Sequence, residues 1–470
     1  MHNLSIPRIA VSGLRGGSGK TILSLSVTAN LRKRGLQVAA FKKGPDYIDA
    51  GWLAKASGTP CYNLDLFMMT PDQALHSFLL HSANSEMAVI EGNRGLYDGM
   101  DHKGTYSTAE LAKLLKTPVV IIVDCTKTTN TIAAMILGCQ HMDRDVPIGG
   151  VVLNRVATGR QESVIRKALH EKCSLPVLGA IPKLKKDPFP ERHMGLTPFQ
   201  EHHGIEESLQ AVTEIGGQYL DMDSIMKVAN EAEALPISDF GLPNAECNSE
   251  LQTPNSEFNI GIIRDSAFQF YYQENFEELE KRGAKLIEVS PLRDDAVPGI
   301  DALYIGGGFP ETHAIALAEN RKFRESLSDA IERGLPVYAE CGGLMYLGRS
   351  LVLEGRTFPM VGALPVTFGM QKRPLAHGYS IVEVEKENPY FPQGAVLKGH
   401  EFHYSHVIDI EKGDTHLAFG VKRGKGIVDN KDGICYKNVL AAYTHLHAIG
   451  SPEWADGLVR CAKEYKEGTK

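Results

Sequence analysis

Cysteine is sparse and unpaired in this sequence. Eight cysteines are spread over 470 residues, at 61, 125, 139, 173, 247, 341, 435 and 461, with no CxxC pair. That spacing excludes a zinc-finger module and a disulfide-stapled small fold. It implies reduced thiols and a cytoplasmic protein, with one thiol available as a nucleophile. Excess positive charge is absent too. Fifty Lys and Arg face 57 Asp and Glu, a net charge of −7, which excludes nucleic acid and anionic membrane as main partners. No apolar run approaches the ~20 residues of a membrane-spanning helix. The longest, residues 118–123, is strand length. The N-terminus carries no basic stretch followed by an apolar one, so no signal peptide is expected. There is no internal repeat and no low-complexity tract.

What is present is ordinary globular composition, 43% hydrophobic and 23% charged. The chain is too long for one core, so two domains are expected. The first half alternates strands and helices. Strands are read at 8–12, 36–41, 87–91, 119–124 and 150–154, with a helix at 21–34 stopped by Gly35. That alternation implies a parallel sheet with right-handed crossovers and ligands at the carboxyl ends of the strands. The stretch 226–258 is polar and aperiodic and reads as a linker. A second α/β pattern follows: strands at 259–263, 285–289, 302–305 and 337–340, with helices at 274–282 and 321–333. The expected division is 1–225, a linker at 226–258, and 259–465.

Gly13-Leu14-Arg15-Gly16-Gly17-Ser18-Gly19-Lys20-Thr21 joins the first strand to the first helix. Glycines there let backbone N–H groups wrap a polyphosphate at a helix N-terminus. Lys20 can bridge the phosphates, and the Thr21 hydroxyl can bind Mg²⁺. Gly16, Gly17, Ser18, Gly19, Lys20 and Thr21 are therefore assigned to ATP. Five residues separate Gly13 from Gly19, one more than the usual register. That longer register resembles the dethiobiotin-synthetase-like branch of P-loop enzymes.

Acids follow the next strands. Asp46 and Asp49 come after Lys42-Lys43-Gly44-Pro45, and Glu91 ends a strand whose following loop holds Asp98. Beside nucleotide phosphates such oxygens suit a hard divalent cation, with Thr21, Asp46 and Glu91 as the expected Mg²⁺ ligands. Lys42, Lys43 and Arg94 can screen an anionic substrate. Asn154 ends a later strand and is a candidate for reading adenine's edge.

Glu340-Cys341-Gly342-Gly343 joins a strand to a helix. A sharp turn of that kind presents Cys341 as a nucleophile at the sheet's carboxyl edge. Gly306-Gly307-Gly308 ends another strand, so Gly307, Gly308 and Gly342 are the expected oxyanion hole. His445, in Tyr443-Thr444-His445-Leu446-His447, is the candidate general base. His400, His403 and His406 read as strand rather than as a metal site, and as a binding loop for an aromatic or anionic substrate.

Jointly these motifs resemble the cobyrinic acid a,c-diamide synthases, including those acting on hydrogenobyrinic acid. The stretches carrying the resemblance are 13–21, FKKGPDYID at 41–49, EGNRGLYDG at 91–99, PERHMGL at 190–196, GGGFPE at 306–311, ECGGLMYL at 340–347, GHEFHYS at 399–405 and YTHLH at 443–447. The resemblance implies an α/β chain: a dethiobiotin-synthetase-like P-loop domain followed by a class I glutamine amidotransferase domain. It implies ammonia release through a Cys341 thioester, with His445 as base. Many class I glutaminases carry Glu two residues after that base; here it is His447, which leaves the third triad member open. It further implies MgATP-dependent phosphorylation of the a and c carboxylates of cobyrinic acid, with Asp46, Asp49, Glu91 and Asp98 serving Mg²⁺ and the acyl phosphates. Arg15, Lys43 and Asn93-Arg94 depart from the common pattern. The same chemistry on sirohaem or nickel sirohydrochlorin is therefore an alternative, as is a cobyric acid synthase-like enzyme. A non-catalytic ATP-sensing regulator is a distant alternative. Expected partners are the tetrapyrrole, glutamine and ATP, with a homodimer as the candidate assembly.

Overall fold

Val119-Val120-Ile121-Ile122-Val123 shows no polar alternation, and a strand of that kind has to be covered on both faces. The computed structural model satisfies this with a seven-stranded, all-parallel sheet. Residues 2–184, 189, 191–192, 195–202, 204–237, 258–411 and 413–468 are described. The sheet strands are β1 (Arg8–Gly13), β2 (Val38–Lys43), β3 (Cys61–Leu64), β4 (Met87–Glu91), β5 (Val119–Asp124), β6 (Ile148–Val156) and β7 (Val177–Pro182). Their spatial order is β3-β2-β4-β1-β5-β6-β7. Leu23, Val27 and Leu31 of helix α1 (Lys20–Lys33) pack with Ile215 on one face. Phe78, Leu111, Ile132 and Ile165 cover the other. Strand order reverses beside β1, so the phosphate loop leaves β1 at the switch point where α/β sheets bind ligands.

The chain divides into two units, Met1–Cys247 and Asn248–Lys470. The stretch expected to be linker begins inside a helix, Met222–Asn230, and continues into a strand, Leu235–Ile237, that pairs with His2–Leu4. Ile225, Val228 and Ala229 are buried on that helix, a periodicity that the polar residues between them obscure. Residues 238–257, and Pro190, His193 and Met194 of the 190–196 motif, lie outside the described residues.

In the second unit a ten-stranded sheet begins parallel and ends antiparallel. Its parallel part contains β8 (Phe258–Ile263), β9 (Ala284–Val289), β10 (Ala302–Ile305), β11 (Val337–Glu340) and Val439–Ala442. From Val439–Ala442 the sheet runs on through Lys431–Tyr436, His416–Arg423, Ala376–Val384 and Val396–His403 to His445–Leu446. The first and last of these six strands are separated in sequence only by Tyr443 and Thr444. The antiparallel part must therefore curl back on itself. That closure seats His445 against His400, its register partner. All seven described cysteines are free thiols; Cys247 lies outside the described residues.

Arg8 anchors the first unit. It is fully buried, and its guanidinium donates to the carbonyls of Leu115 at 2.8 Å, Ile6 at 2.9 Å, Lys116 at 3.3 Å and Glu233. Burial lowers its pKa to about 10, with Glu233 opposing, so it stays charged at neutral pH. Arg8→Met should leave these acceptors unpaired and cost the first unit about 3 kcal/mol. Urea unfolding should show an earlier transition; an unchanged midpoint would contradict the anchor.

Candidate active sites

The phosphate loop ends on Gly19, at φ 100°, directly before α1. A Cβ there would sit 2.4 Å from Asn154 Nδ2, so only glycine fits. Asn154 Nδ2 donates to the Ser18 carbonyl at 2.9 Å, and its Oδ1 accepts from Arg155 N–H at 2.9 Å. The amide expected to read adenine bonds the loop itself: Asn154 latches the phosphate loop to β6. Gly16 and Gly17 are exposed, while Ser18 and Lys20 are buried. Lys20 Nζ donates to the Arg15 carbonyl at 3.3 Å; burial, and then Lys42, lower its pKa. Arg15 is tied to Asp124 at 3.2 Å, and Arg155 binds the same carboxylate at 2.8 Å.

Lys42 is the centre of the acidic set. Its ammonium is buried and bonds Asp49 at 2.7 Å and Glu91 at 2.8 Å. The same Glu91 oxygen accepts from the Thr21 hydroxyl at 2.8 Å. Asp49 and Glu91 therefore converge on the helix that starts at the phosphate loop. Asp46 instead caps the helix Tyr47–Ser57, accepting Asp49 N–H at 2.9 Å. Asp98 accepts Gly95 N–H at 2.9 Å inside its own loop. Burial raises Glu91 to about 7, against Lys42, and raises Asp46 to about 6, with Asp49 adding. Burial acts the same way on Asp49, but Lys42 outweighs it and its pKa is lowered.

Among the described residues no group of three or more His, Cys, Asp and Glu is placed to hold a metal. A divalent cation beside a phosphate loop takes most of its shell from phosphates and water, with one or two carboxylates. The chain fits that role in one respect: Glu91 Oε2 is buried without a hydrogen-bond partner, while its other oxygen holds Thr21.

In the second unit Cys341 has φ 47°, a strained conformation for a side-chain-bearing residue, at the turn from β11 into the helix Gly342–Leu347. Its N–H is held by the Ala442 carbonyl at 2.8 Å, and its thiol lies 3.8 Å from the Phe402 carbonyl. A Cβ on Gly342 would come within 2.9 Å of the Gly308 nitrogen, so the elbow and the glycine triplet are in backbone contact. Gly307 faces His445, whose Cε1 would lie 2.6 Å from a Cβ there. The predicted nucleophile, base and glycines are thus gathered around one turn. Burial, and then Glu311, push the thiol well above its usual range, so it rests protonated.

The three-histidine stretch is not one loop. His400 and His403 are buried in the strand Val396–His403, and His406 lies on the next strand, in another sheet. His400 stacks on His445 at 4.8 Å, and His403 bonds the Ser405 carbonyl at 2.9 Å. Sequence reasoning missed Asp124 as a tether for Arg15, although it ends a strand, and missed Glu340, 3.3 Å from His445 Nδ1.

Two chemistries are therefore laid out on one chain, a nucleotide site rich in acids and a thiol elbow with its histidine. Residues 9–196 match the CobQ/CobB/MinD/ParA nucleotide binding domain, and residues 259–453 the CobB/CobQ-like glutamine amidotransferase domain. This is the layout of a glutamine-dependent amidotransferase ligase. The chain is 40% identical over 459 residues to a cobyrinate a,c-diamide synthase of Magnetococcus marinus, covering 98% of each. It is 39% identical to one of Archaeoglobus fulgidus, covering 98% of this chain and 99% of that one. The chain belongs to the cobyrinate a,c-diamide synthase family. A solved glutamine amidotransferase aligns with 43% of this chain and 98% of its own at 19% identity and a TM-score of 0.34.

Glu91 provides a test with a defined sign. Its folded pKa, about 7, lies above the ordinary 4.5. The stability this carboxyl contributes is then present below pH 4.5 and lost as pH rises through 7. Glu91→Gln should remove that loss, gaining on the order of 2 kcal/mol relative to wild type between acid and pH 8. Thermal scans across that range check it; parallel curves would contradict the raised pKa.

Proposed function

We propose that this chain uses MgATP and glutamine to convert the a and c side-chain carboxylates of cobyrinic acid to amides through acyl phosphates. The near full-length match to cobyrinate a,c-diamide synthases carries this reading. In the second unit the Cys341 thiol gives its proton to His445 and attacks the glutamine side-chain carbonyl. Ammonia leaves with a proton from His445, and water then releases glutamate from the thioester. Gly307, Gly308 and Gly342 supply the backbone around the developing oxyanion. In the first unit the substrate carboxylate attacks the γ-phosphorus, and ADP leaves. Ammonia then attacks the acyl phosphate, giving amide and phosphate. Lys20 moves from the Arg15 carbonyl to the phosphates. Thr21 and Glu91 would hold Mg²⁺, whose chemistry is to neutralise the phosphate charge. Lys42 keeps Asp49 and Glu91 ionisable side by side.

The anionic character of the substrate has its own support. Lys43 is 5% exposed; burial lowers its pKa, with Asp65 as the opposing negative charge and Arg94 close enough to add to the lowering. The adjoining loops touch: a Cβ on Gly44 would lie 3.0 Å from Asn93 Nδ2, and Arg94 follows at φ 50°. Two cations held at that junction suit a substrate carboxylate.

Three variants test the scheme. Cys341→Ala should abolish glutamine-driven but not ammonia-driven amidation, because only the thioester step is lost. Lys20→Ala should abolish both. Lys43→Met should raise KM for the tetrapyrrole roughly tenfold or more, with KM for ATP held within about twofold, the loss of one charge-assisted contact. Product masses after separate incubation with cobyrinic acid, sirohaem and nickel sirohydrochlorin decide the macrocycle. Amidation of either sirohydrochlorin-type compound in preference to cobyrinic acid would overturn the substrate assignment.

A further inference from the structure

We infer that Glu340, the residue before the nucleophile, is the acid that orients the histidine base of the glutaminase site. This rests on the reading of Cys341 and His445 as nucleophile and base.

Position 447, two residues after the base, cannot supply the acid. It is a histidine, fully buried, with no carboxylate to offer the base, and among the described residues its Nε2 has no hydrogen-bond partner. Nδ1 accepts Ile449 N–H at 3.3 Å, which leaves the proton on Nε2. Nε2 faces Glu274 Oε2 at 3.5 Å. The His447 ring packs against Tyr272, whose hydroxyl bonds His400, the ring stacked on His445.

Glu340 has the geometry that position 447 lacks. Its carboxylate is 1% exposed, and Oε2 lies 3.3 Å from His445 Nδ1. Two further donors fix it: Leu446 N–H on Oε1 at 3.0 Å and the Tyr304 hydroxyl on Oε2 at 3.0 Å. The segment bearing the base is clamped as well. Asn275 donates to the Leu446 carbonyl at 3.0 Å and accepts Ala448 N–H at 2.8 Å. The acid, the thiol and the base come from two neighbouring strand ends, since Glu340 pairs with Ala442 in parallel register. Cys341 is one residue beyond the first, and His445 three beyond the second.

The chemistry requires such a partner. A thiol that rests protonated must lose its proton as the S–C bond forms. Nδ1–H donating to a buried carboxylate leaves Nε2 as the acceptor and stabilises the imidazolium that results. The same imidazolium then protonates the departing ammonia, so the proton count closes over the half-reaction. Glu340 touches neither glutamine nor the thiol in this scheme; it is a positioning residue.

Glu340→Gln in the full-length enzyme tests this, because the amide keeps the side chain's shape and an acceptor oxygen. The glutamine-dependent kcat should fall by about 10²–10⁴-fold, with KM for glutamine within about threefold. The acid limb of the glutaminase pH profile should move to lower pH, as an imidazole without its anion is less basic. Ammonia-dependent amidation and the melting temperature should stay at wild-type values. Glu340→Asp should recover part of kcat. A glutamine-dependent kcat within about threefold of wild type overturns the proposal. So does a parallel fall in ammonia-dependent activity and melting temperature, which would mark a purely structural role. Glu274→Gln is the second arm and should leave kcat near wild type; a collapse there with Glu340→Gln active would move the role to the His447 pair. A wild-type enzyme that amidates with ammonia but never hydrolyses glutamine would instead refute the glutaminase reading itself.

Discussion

A buried ammonium between two carboxylates organises the nucleotide site. Lys42 ends β2, Glu91 ends β4, and these strands are neighbours in parallel register, Lys42 beside Glu91. Asp49 reaches the same nitrogen from the helix that follows β2. Two acids this close would not both ionise without a cation between them. With Lys42 present, Asp49 is held ionised and Glu91 is left near its titration point, one oxygen on Thr21 and the other unpaired. The triad therefore ties α1's first turn to the ends of β2 and β4 and leaves one Glu91 oxygen without a hydrogen-bond partner among the described residues. An apolar residue at 42 would satisfy β-propensity better, and it would leave two buried acids unbalanced.

The second unit solves a different problem with the same device. Its reactive group also sits at a parallel strand end, but the strand turns abruptly, and the strain is carried by Cys341 rather than by a glycine. What holds the turn is backbone: Ala442 takes the Cys341 N–H, and the glycine triplet leaves room for the elbow. The antiparallel strands beyond have no counterpart in the first unit. Their closure presses His400 onto His445 and sets the base by sheet register instead of by a loop.

Much of this was legible in the chain. Runs such as 119–123 and 337–340 are short, apolar and followed by turn residues, so their strands and the polar groups at their ends could be placed directly. The strands at Cys61–Leu64 and Val177–Pro182 were not seen, because one is a four-residue edge strand without β-branched residues and the other contains Gly179 and ends on Pro182. The helix at 222–230 was hidden by charged residues between its buried ones. Pairings were the larger loss. Sequence places Asp46, Asp49, Glu91 and Asp98 in one neighbourhood, but only the three-dimensional register shows that Asp49 and Glu91 share Lys42 while Asp46 and Asp98 bond N–H groups of their own segments. Asn154 shows the same limit: a strand-end amide beside a phosphate loop can serve either the base or the loop, and only the structure shows its bond to the Ser18 carbonyl. Glu340 was overlooked because it reads as part of a strand, one residue from a more conspicuous thiol.

In both candidate sites the key groups are held by the protein's own atoms. Lys20 is turned onto the Arg15 carbonyl, and Arg15 is tied to Asp124, so the loop's cations are spent on the protein. The Cys341 thiol is protonated by burial, with Glu311 and Glu340 adding to the cost of a thiolate. For the proposed glutaminase step, a buried and protonated thiol needs a base beside it, and the proposed Glu340–His445 pair supplies one. The proposed nucleophile and its positioning acid are adjacent in sequence, the acid ending β11 and the nucleophile opening the helix after it, so a single turn places both.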